Sequence, residues 1–443
     1  MNPGVEAGVL APAEPTQTHR GPGLPLPEQD PFYRTPEAID RLQPGAIVRS
    51  RRVELALFGR VPQRISAWQL LYRSCDLHGT PEVAVTTVLL PWDADPTEPR
   101  PLVSFQCAID AIASKCFPSY ALRRGARAAG SIPQLELPLI ASALARGWAV
   151  SVPDHEGIGG RFGAAREPGY RALDGIRACL GFTPLGLNPA APIALWGYSG
   201  GGLATMWAAE LAAEYAPELD IVGAVAGSPV GDPAAAFVRL NGGFFAGFAA
   251  VFTAGLCRAY PELDRMLRER LSDAYLDMLA AAATSATFPL LYRFARRDID
   301  KHTADGIAGL LAHPELRRVL DDIRPGGRAP AMPLLILQGV PDEVIAVADV
   351  DAHVQRYLTA GARVHYLRDR TGTHLPLQFL GLPVMLDWLS DRFGDRVLAP
   401  NSVRTVWSVA CTRSGLRGHA HFARLLLSML LGLPIRPRAQ RMP

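Results

Sequence analysis

Leu195-Trp196-Gly197-Tyr198-Ser199-Gly200-Gly201-Gly202 follows an apolar run that begins at Pro192 and precedes the alanine-rich segment Leu203–Tyr215. An apolar run, a glycine-flanked serine and a helix-forming stretch spell out strand, sharp turn and helix, the context in which G-x-S-x-G presents a nucleophile. A hydroxyl at the tip of such a corner needs strained backbone, so glycine stands at 197 and 201, where a β-carbon would collide with the neighbouring strand or helix. The first N–H groups of the helix, that of Gly200 among them, point to where an oxyanion would form. Ser199 is thus a candidate nucleophile and Gly200 a candidate oxyanion-hole donor.

Outward from that turn, the pattern is one of alternating strands and helices. Apolar runs at Trp148–Val152, Ile193–Trp196 and Ile221–Ala226 alternate with helical patterns near Leu137–Arg146, Tyr170–Leu180 and Leu203–Tyr215, the signature of βαβ units and a parallel sheet. Runs at Pro333–Leu337 and Arg363–Leu367 bracket a helical stretch at Val347–Ala360, and a last helix is expected over Leu377–Phe393. Before this region, Val53–Phe58, Ala67–Cys75, Val83–Leu90 and Pro101–Phe105 read as strands; the first of them follow one another without a helix, which predicts antiparallel neighbours.

Between Asp232 and Arg324 strands give way to helical patterns: Ala234–Leu240, Phe244–Cys257, Leu263–Leu279, Phe288–Phe294, Thr303–Leu311 and Pro314–Ile323. An insertion between two core strands with Phe244, Phe245, Phe248, Val251 and Phe252 on one face suits a cap over the active-site end of the sheet; an ordinary satellite domain is the alternative. The expected organisation is a flexible leader over 1–29, an α/β core over 30–231 and 325–397, a helical cap over 232–324 and a basic tail over 398–443. In that tail no Asp or Glu follows Asp395, arginines recur, and Phe422–Leu433 is apolar. It reads either as a basic amphipathic helix touching a membrane or the protein's own surface, or as a solvated tail.

Composition narrows the function. At 49% hydrophobic and 20% charged residues, the 443-residue chain is globular, and a net charge of +3 lacks the basic excess of a nucleic-acid binder. No stretch reaches the roughly 18–20 apolar residues of a membrane-spanning helix. Met1–Arg20 shows no secretory signal pattern, so the chain as written is not visibly exported. The six cysteines, 75, 107, 116, 179, 257 and 411, have no metal-type spacing and read mostly as small buried apolar residues.

A serine of this kind needs an acid and then a histidine downstream, each after a late strand. Asp342, in the turn Gln338-Gly339-Val340-Pro341-Asp342-Glu343, occupies the acid position. Glu343 could substitute on chemistry alone, and Asp342 could instead cap the following helix. Of the later histidines, His353 falls in a helix and His365 in a strand, whereas His374 lies in the loop after Arg363–Leu367 and is the candidate general base. Serine, histidine and aspartate in these roles carry acyl transfer with no metal or organic cofactor.

The chain resembles the secretory lipases of the yeast lipase A type, with bacterial members closer still. The resemblance runs from about Asp30 to Arg392 and rests on Asp30-Pro31-Phe32-Tyr33, Ser104-Phe105-Gln106, Cys116-Phe117-Pro118-Ser119-Tyr120, Pro153-Asp154-His155-Glu156-Gly157, Leu173-Asp174-Gly175-Ile176-Arg177-Ala178 and the serine turn. It implies an α/β-hydrolase core with a helical cap, hydrolysis of carboxylic esters, often acylglycerols, and Ser199, Asp342 and His374 as nucleophile, acid and base. It also implies that Asp110 is the second oxyanion-hole residue, donating from a protonated carboxyl; otherwise Asp110 is a loop aspartate accepting from nearby backbone. The family is usually exported and often disulfide-bonded, and Cys116 is the residue it points to for any bridge. The expected partner is a small ester or lipid, with contact to a lipid surface and no obligate protein partner. Two rival readings keep the fold: an acyltransferase with the same triad, and a lipid-binding protein without catalysis.

Overall fold

The computed structural model describes residues 23–437. Twelve strands run in chain order: β1 (Ile47–Arg52), β2 (Ala56–Leu57), β3 (Val61–Pro62), β4 (Ser66–Cys75), β5 (Pro81–Leu90), β6 (Leu102–Gln106), β7 (Ala149–Pro153), β8 (Ile193–Tyr198), β9 (Ile221–Gly227), β10 (Leu334–Gly339), β11 (Val364–Asp369) and β12 (Ser402–Val406). Ten form one sheet in the order β1-β4-β5-β7-β6-β8-β9-β10-β11-β12, while β2 and β3 pair separately. The pairs β1–β4, β4–β5 and β5–β7 are antiparallel, and every later pair is parallel. The fold is that of an α/β-hydrolase, an antiparallel start followed by a parallel sheet with helices on both faces.

The central strands read as unbroken apolar runs because both faces of the sheet are covered. Along β8, Ile193 and Leu195 enter one core and Ala194, Trp196 and Tyr198 the other; along β10, Leu334 and Ile336 alternate with Leu335 and Leu337 in the same way. One core is closed by helices Ile132–Leu144 and Leu382–Phe393, the other by Glu167–Gly181, Gly200–Tyr215 and Val347–Thr359. Trp196 meets Phe105 of β6 edge-on at 4.7 Å, fixing the register of the two strands that carry the site.

The short strings that carried the family resemblance meet one another in space. Asp154 is 1% exposed and accepts from the backbone N–H and hydroxyl of Ser119, whose Oγ lies 2.8 Å from the Tyr33 hydroxyl. Asp174 accepts from Ser74 (2.7 Å) and from Arg177 (2.9 Å). Burying a carboxyl costs least when its oxygens are hydrogen-bonded, and through Ser74 and Asp174 such a bond ties the antiparallel strand β4 to a helix that covers the parallel half.

Several elements differ from the expectation. Of the expected first strand Val53–Phe58 only Ala56–Leu57 is a strand, paired outside the main sheet, and the first strand is instead Ile47–Arg52. Its arginines mask it in sequence because it lies at the sheet edge, where Arg51 reaches Gln69 (2.8 Å) and Asp30 (2.6 Å). The expected helix over Leu377–Phe393 is two helices, His374–Leu380 and Leu382–Phe393, the second opening with a proline in its first turn. Leu263–Leu279 likewise splits into Pro261–Arg270 and Asp273–Ala282, where Leu271 leaves the helix to bridge Thr303.

Both ends are also more integrated than expected. The leader as far as residue 22 lies outside the described residues, as do Arg438 and Arg441 of the tail. Residues 23–29 pack on the core: Pro27–Gln29 is a 3-10 turn with Pro27 buried, and Glu28 accepts from Ser114 (2.5 Å). At the other end Ser402–Val406 completes the sheet beside β11, and Arg413–Leu430 is a helix. All six cysteines are free thiols; Cys116, the residue favoured for a bridge, is fully buried. No helix among the described residues is long and apolar enough to cross a membrane.

Candidate active site

The side chains singled out above converge at the carboxyl ends of neighbouring strands. Ser199 follows β8, Asp110 follows β6, Asp342 follows β10 and His374 follows β11. Gly339 and Asp369 are register partners across β10 and β11, and Val340 N donates to Asp369 O at 2.7 Å. The two loops therefore leave the sheet level with each other and reach toward β8 together.

Ser199 sits at φ 54°, ψ −120°, between β8 and helix Gly200–Tyr215. That conformation is costly for any residue with a side chain. Close packing enforces it: a β-carbon on Gly197 would stand 2.2 Å from the Gly201 carbonyl oxygen, and one on Gly201 would stand 2.0 Å from that of Gln106. Ser199 Oγ lies 2.8 Å from His374 Nε2, and His374 Nδ1 lies 2.8 and 3.0 Å from the two Asp342 oxygens. All three residues are buried, with Ser199 and Asp342 each 7% exposed. A hydroxyl, imidazole and carboxylate in that order can pass a proton from the hydroxyl to Nε2 while the carboxylate holds Nδ1–H.

The carboxylate is made for its place. Burial alone would oppose its ionisation, but the hydrogen bond and charge of His374, with N–H donors from Ile345 (2.7 Å) and Val344 (2.8 Å), outweigh that and hold Asp342 below the ordinary carboxylate value. Glu343, the neighbouring acid, accepts instead from the His374 backbone N–H at 3.0 Å. Tyr198 donates to the His374 carbonyl at 2.6 Å. The imidazole is thus held at side chain and backbone alike. His353 is fully buried with neither ring nitrogen hydrogen-bonded, and His365 in β11 reaches the Ala399 carbonyl; it is His374 that hydrogen-bonds to Ser199.

Asp110 packs directly on the serine turn. A β-carbon on Gly200 would lie 2.0 Å from Asp110 Oδ1, and Asp110 itself is 4% exposed at φ 43°. Burial raises its pKa to about 7, with the His374 charge opposing. At neutral pH a large share of this carboxyl is therefore protonated and able to donate.

Several residues that organise the site gave no usable signal in the sequence. Fully buried Asp369, the last residue of β11, accepts from Thr371 N, Gly372 N (2.7 Å) and Val409 N (2.6 Å), shaping the loop that delivers His374. Glu136, also fully buried, takes the Ala108 N–H on both oxygens and the side-chain amide of Gln378. A lone polar residue in a helical apolar run is the only trace such a role leaves.

Beside Ser199 opens a narrow apolar cavity. Its walls include Phe162, Leu203 and Ile345 from the core, and Phe237, Phe248 and Phe252 from the helices Pro233–Leu240 and Ala246–Ala259 of the insertion. Of the other aromatics expected on the cap face, Phe245 stacks on Phe248 and Phe244 is 65% exposed; Val251 is buried within the insertion. Among the described residues no group of three or more His, Cys, Asp or Glu side chains is arranged to hold a metal.

The secretory lipase family model matches residues 122–400. A relative in Mycobacterium tuberculosis described as a probable inactive lipase is 47% identical over 92% of this chain and 91% of its own. Lipase A of Arthroderma benhamiae is 36% identical over 93% and 89%. Among solved structures, Candida antarctica lipase A superposes with a TM-score of 0.82 at 29% identity, covering 94% of this chain and all of that one. With the family model spanning most of the chain and such relatives spanning nearly all of it, this protein belongs to the secretory lipase family and has its α/β-hydrolase fold.

Proposed function

We propose that this protein hydrolyses carboxylic esters of fatty acyl groups through an acyl-enzyme on Ser199. The observation that carries the reading is the hydrogen-bonded run from Ser199 Oγ through His374 to Asp342 at a strained strand-to-helix corner. His374 takes the serine proton as Oγ attacks the ester carbonyl carbon. The oxyanion is met by the Gly200 N–H and by the proton of Asp110. When the tetrahedral adduct collapses, His374 gives the proton to the departing alcohol. A water molecule, deprotonated by the same imidazole, then attacks the acyl carbon, and Ser199 recovers its proton as the carboxylic acid leaves.

The substrate class follows from the lining of the cavity. An apolar wall rewards a hydrocarbon chain and offers no partner to a polar acid, so acylglycerols or related fatty esters suit the site. The insertion over 232–324 supplies three of the aromatic walls and, in this reading, caps the acyl site.

The name of the mycobacterial relative favours a second reading, a protein that keeps the fold and binds lipid without turnover. Assays on p-nitrophenyl esters of graded chain length separate the two. The hydrolase reading expects turnover that rises beyond acetate and falls roughly 10⁴-fold or more in Ser199→Ala, with fluorophosphonate labelling of Ser199. Failure of the probe to label wild type favours the binding protein; activity that survives Ser199→Ala sinks the mechanism.

A further inference from the structure

Exposed apolar side chains are not spread over the molecule. Eight of the thirteen large ones among the described residues lie between Val397 and Leu433, and three of these, Leu416, Leu427 and Leu430, share one side of the helix Arg413–Leu430. Its inner side, with Gly415, Phe422 and Met429, packs on helices Leu382–Phe393 and Ile132–Leu144. At 100° per residue the outward side divides into two lanes. One holds Leu416, Ala420, Ala423, Leu427 and Leu430; the other, beside it, holds Arg413, Arg417 and Arg424. Leu416 is 65% exposed and Leu427 and Leu430 are each 58%. None of the three guanidiniums pairs with a carboxylate among the described residues, and no acidic residue follows Asp395 in the sequence.

A leucine lane left in water beside an unneutralised arginine lane has no purpose within the monomer. We infer that this outer face of Arg413–Leu430 binds an anionic phospholipid surface, with leucines entering the acyl boundary and arginines meeting lipid phosphates. Charge selects this occupant. Two copies of the chain meeting through the same face would bring arginine lanes together across a two-fold axis, a repulsive arrangement. A bilayer bearing anionic headgroups neutralises them instead, and a planar guanidinium takes a phosphate through paired hydrogen bonds. The apolar lane then enters the interfacial layer that receives amphipathic helices lying in the membrane plane. This inference does not depend on the chemistry at Ser199.

Vesicle co-sedimentation of the full chain tests it, with phosphatidylcholine vesicles containing phosphatidylglycerol set against pure phosphatidylcholine. The expected result is binding to the mixed vesicles that weakens as salt is raised, at least tenfold loss in Arg413→Glu/Arg417→Glu/Arg424→Glu, and a several-fold loss in Leu416→Asn/Leu427→Asn. Circular dichroism checks that both variants fold, and the single Ala423→Glu substitution, which puts a charge in the apolar lane, gives the same readout should either fail. Turnover of a short soluble ester, or its absence, is unchanged by all of them. Equal binding by wild type and variants, no binding to either vesicle, or a dimer in light scattering that Leu416→Asn/Leu427→Asn dissolves would each overturn the inference, the last in favour of self-association.

Discussion

Gln378 Nε2 donates to Glu136 Oε1 at 2.5 Å, and Glu136 in turn accepts the Ala108 N–H on both oxygens. Gln378 lies one turn after His374 on the same helix, and Ala108 lies two residues before Asp110. One buried carboxyl therefore ties the segment that presents the imidazole to the segment that presents Asp110, the proposed oxyanion-hole carboxyl. Burial raises the Glu136 pKa to about 8 despite the donors around it, so it is held largely protonated at neutral pH.

Glu136 is thus a positioning residue for the proposed reaction. Glu136→Ala should lower kcat about tenfold with KM little changed, because misplacement by a fraction of an ångström acts on the transition state more than on binding. Glu136→Gln, near in shape to the protonated acid, should recover most of that loss. Steady-state kinetics of the two variants check it; equal damage by both would mean that Glu136 serves stability alone.

Asp110 should imprint itself on the pH profile. Its proton is the proposed donor and is lost as pH rises through about 7, so kcat/KM should carry a declining alkaline limb. Asp110→Asn supplies an amide donor at every pH and should flatten that limb, while Asp110→Ala should lower kcat roughly 10²–10³-fold, the usual effect of losing one oxyanion-hole donor. A profile of identical shape in wild type and Asp110→Asn would remove the role.

The cavity should set chain-length preference. Phe237 and Phe248, both on the insertion, wall it together with Phe252. Phe248→Ala opens space beside Ser199 without touching the hydrogen-bonded run, so the ratio of kcat/KM for long over short p-nitrophenyl esters should shift several-fold toward the longer chains. An unchanged ratio would place the acyl chain elsewhere.

Stability should fall with pH between about 6.5 and 8. Asp110 and Asp154 are raised to about 7 and Glu136 to about 8, and Glu156 is also raised, all by burial. In that window the unfolded chain has already released these protons, whereas the folded chain is still in the course of releasing them. With more protons bound in the native state, ∂ΔG/∂pH of unfolding is negative. Below about pH 6.5 the slope is opposed by His155 and His353, which burial lowers to about 4 and about 3, since the unfolded chain binds their protons first. Melting temperature across pH 6.5–8 should decline, less steeply in Asp110→Asn; a rise would overturn the assignment of these buried acids.

Local patterns along the chain determined much of this. The serine corner, the alternation of apolar runs with helices, and the order Ser199, Asp342, His374 were legible because strand-to-helix turns and buried parallel strands leave composition that depends only on neighbouring residues. The arginine-rich edge strand β1 and the last strand β12 were not legible, since edge strands are half solvated and lose the apolar signature. Nor were the break at Gly381, the packing of Asp110 against Gly200, the cradle of Asp369 and the clasp of Glu136 with Gln378. Each of these is decided by contacts between segments far apart in sequence. A buried carboxyl becomes neutral, charged or bridging according to the donors that folding brings to it, and only the tertiary structure supplies them.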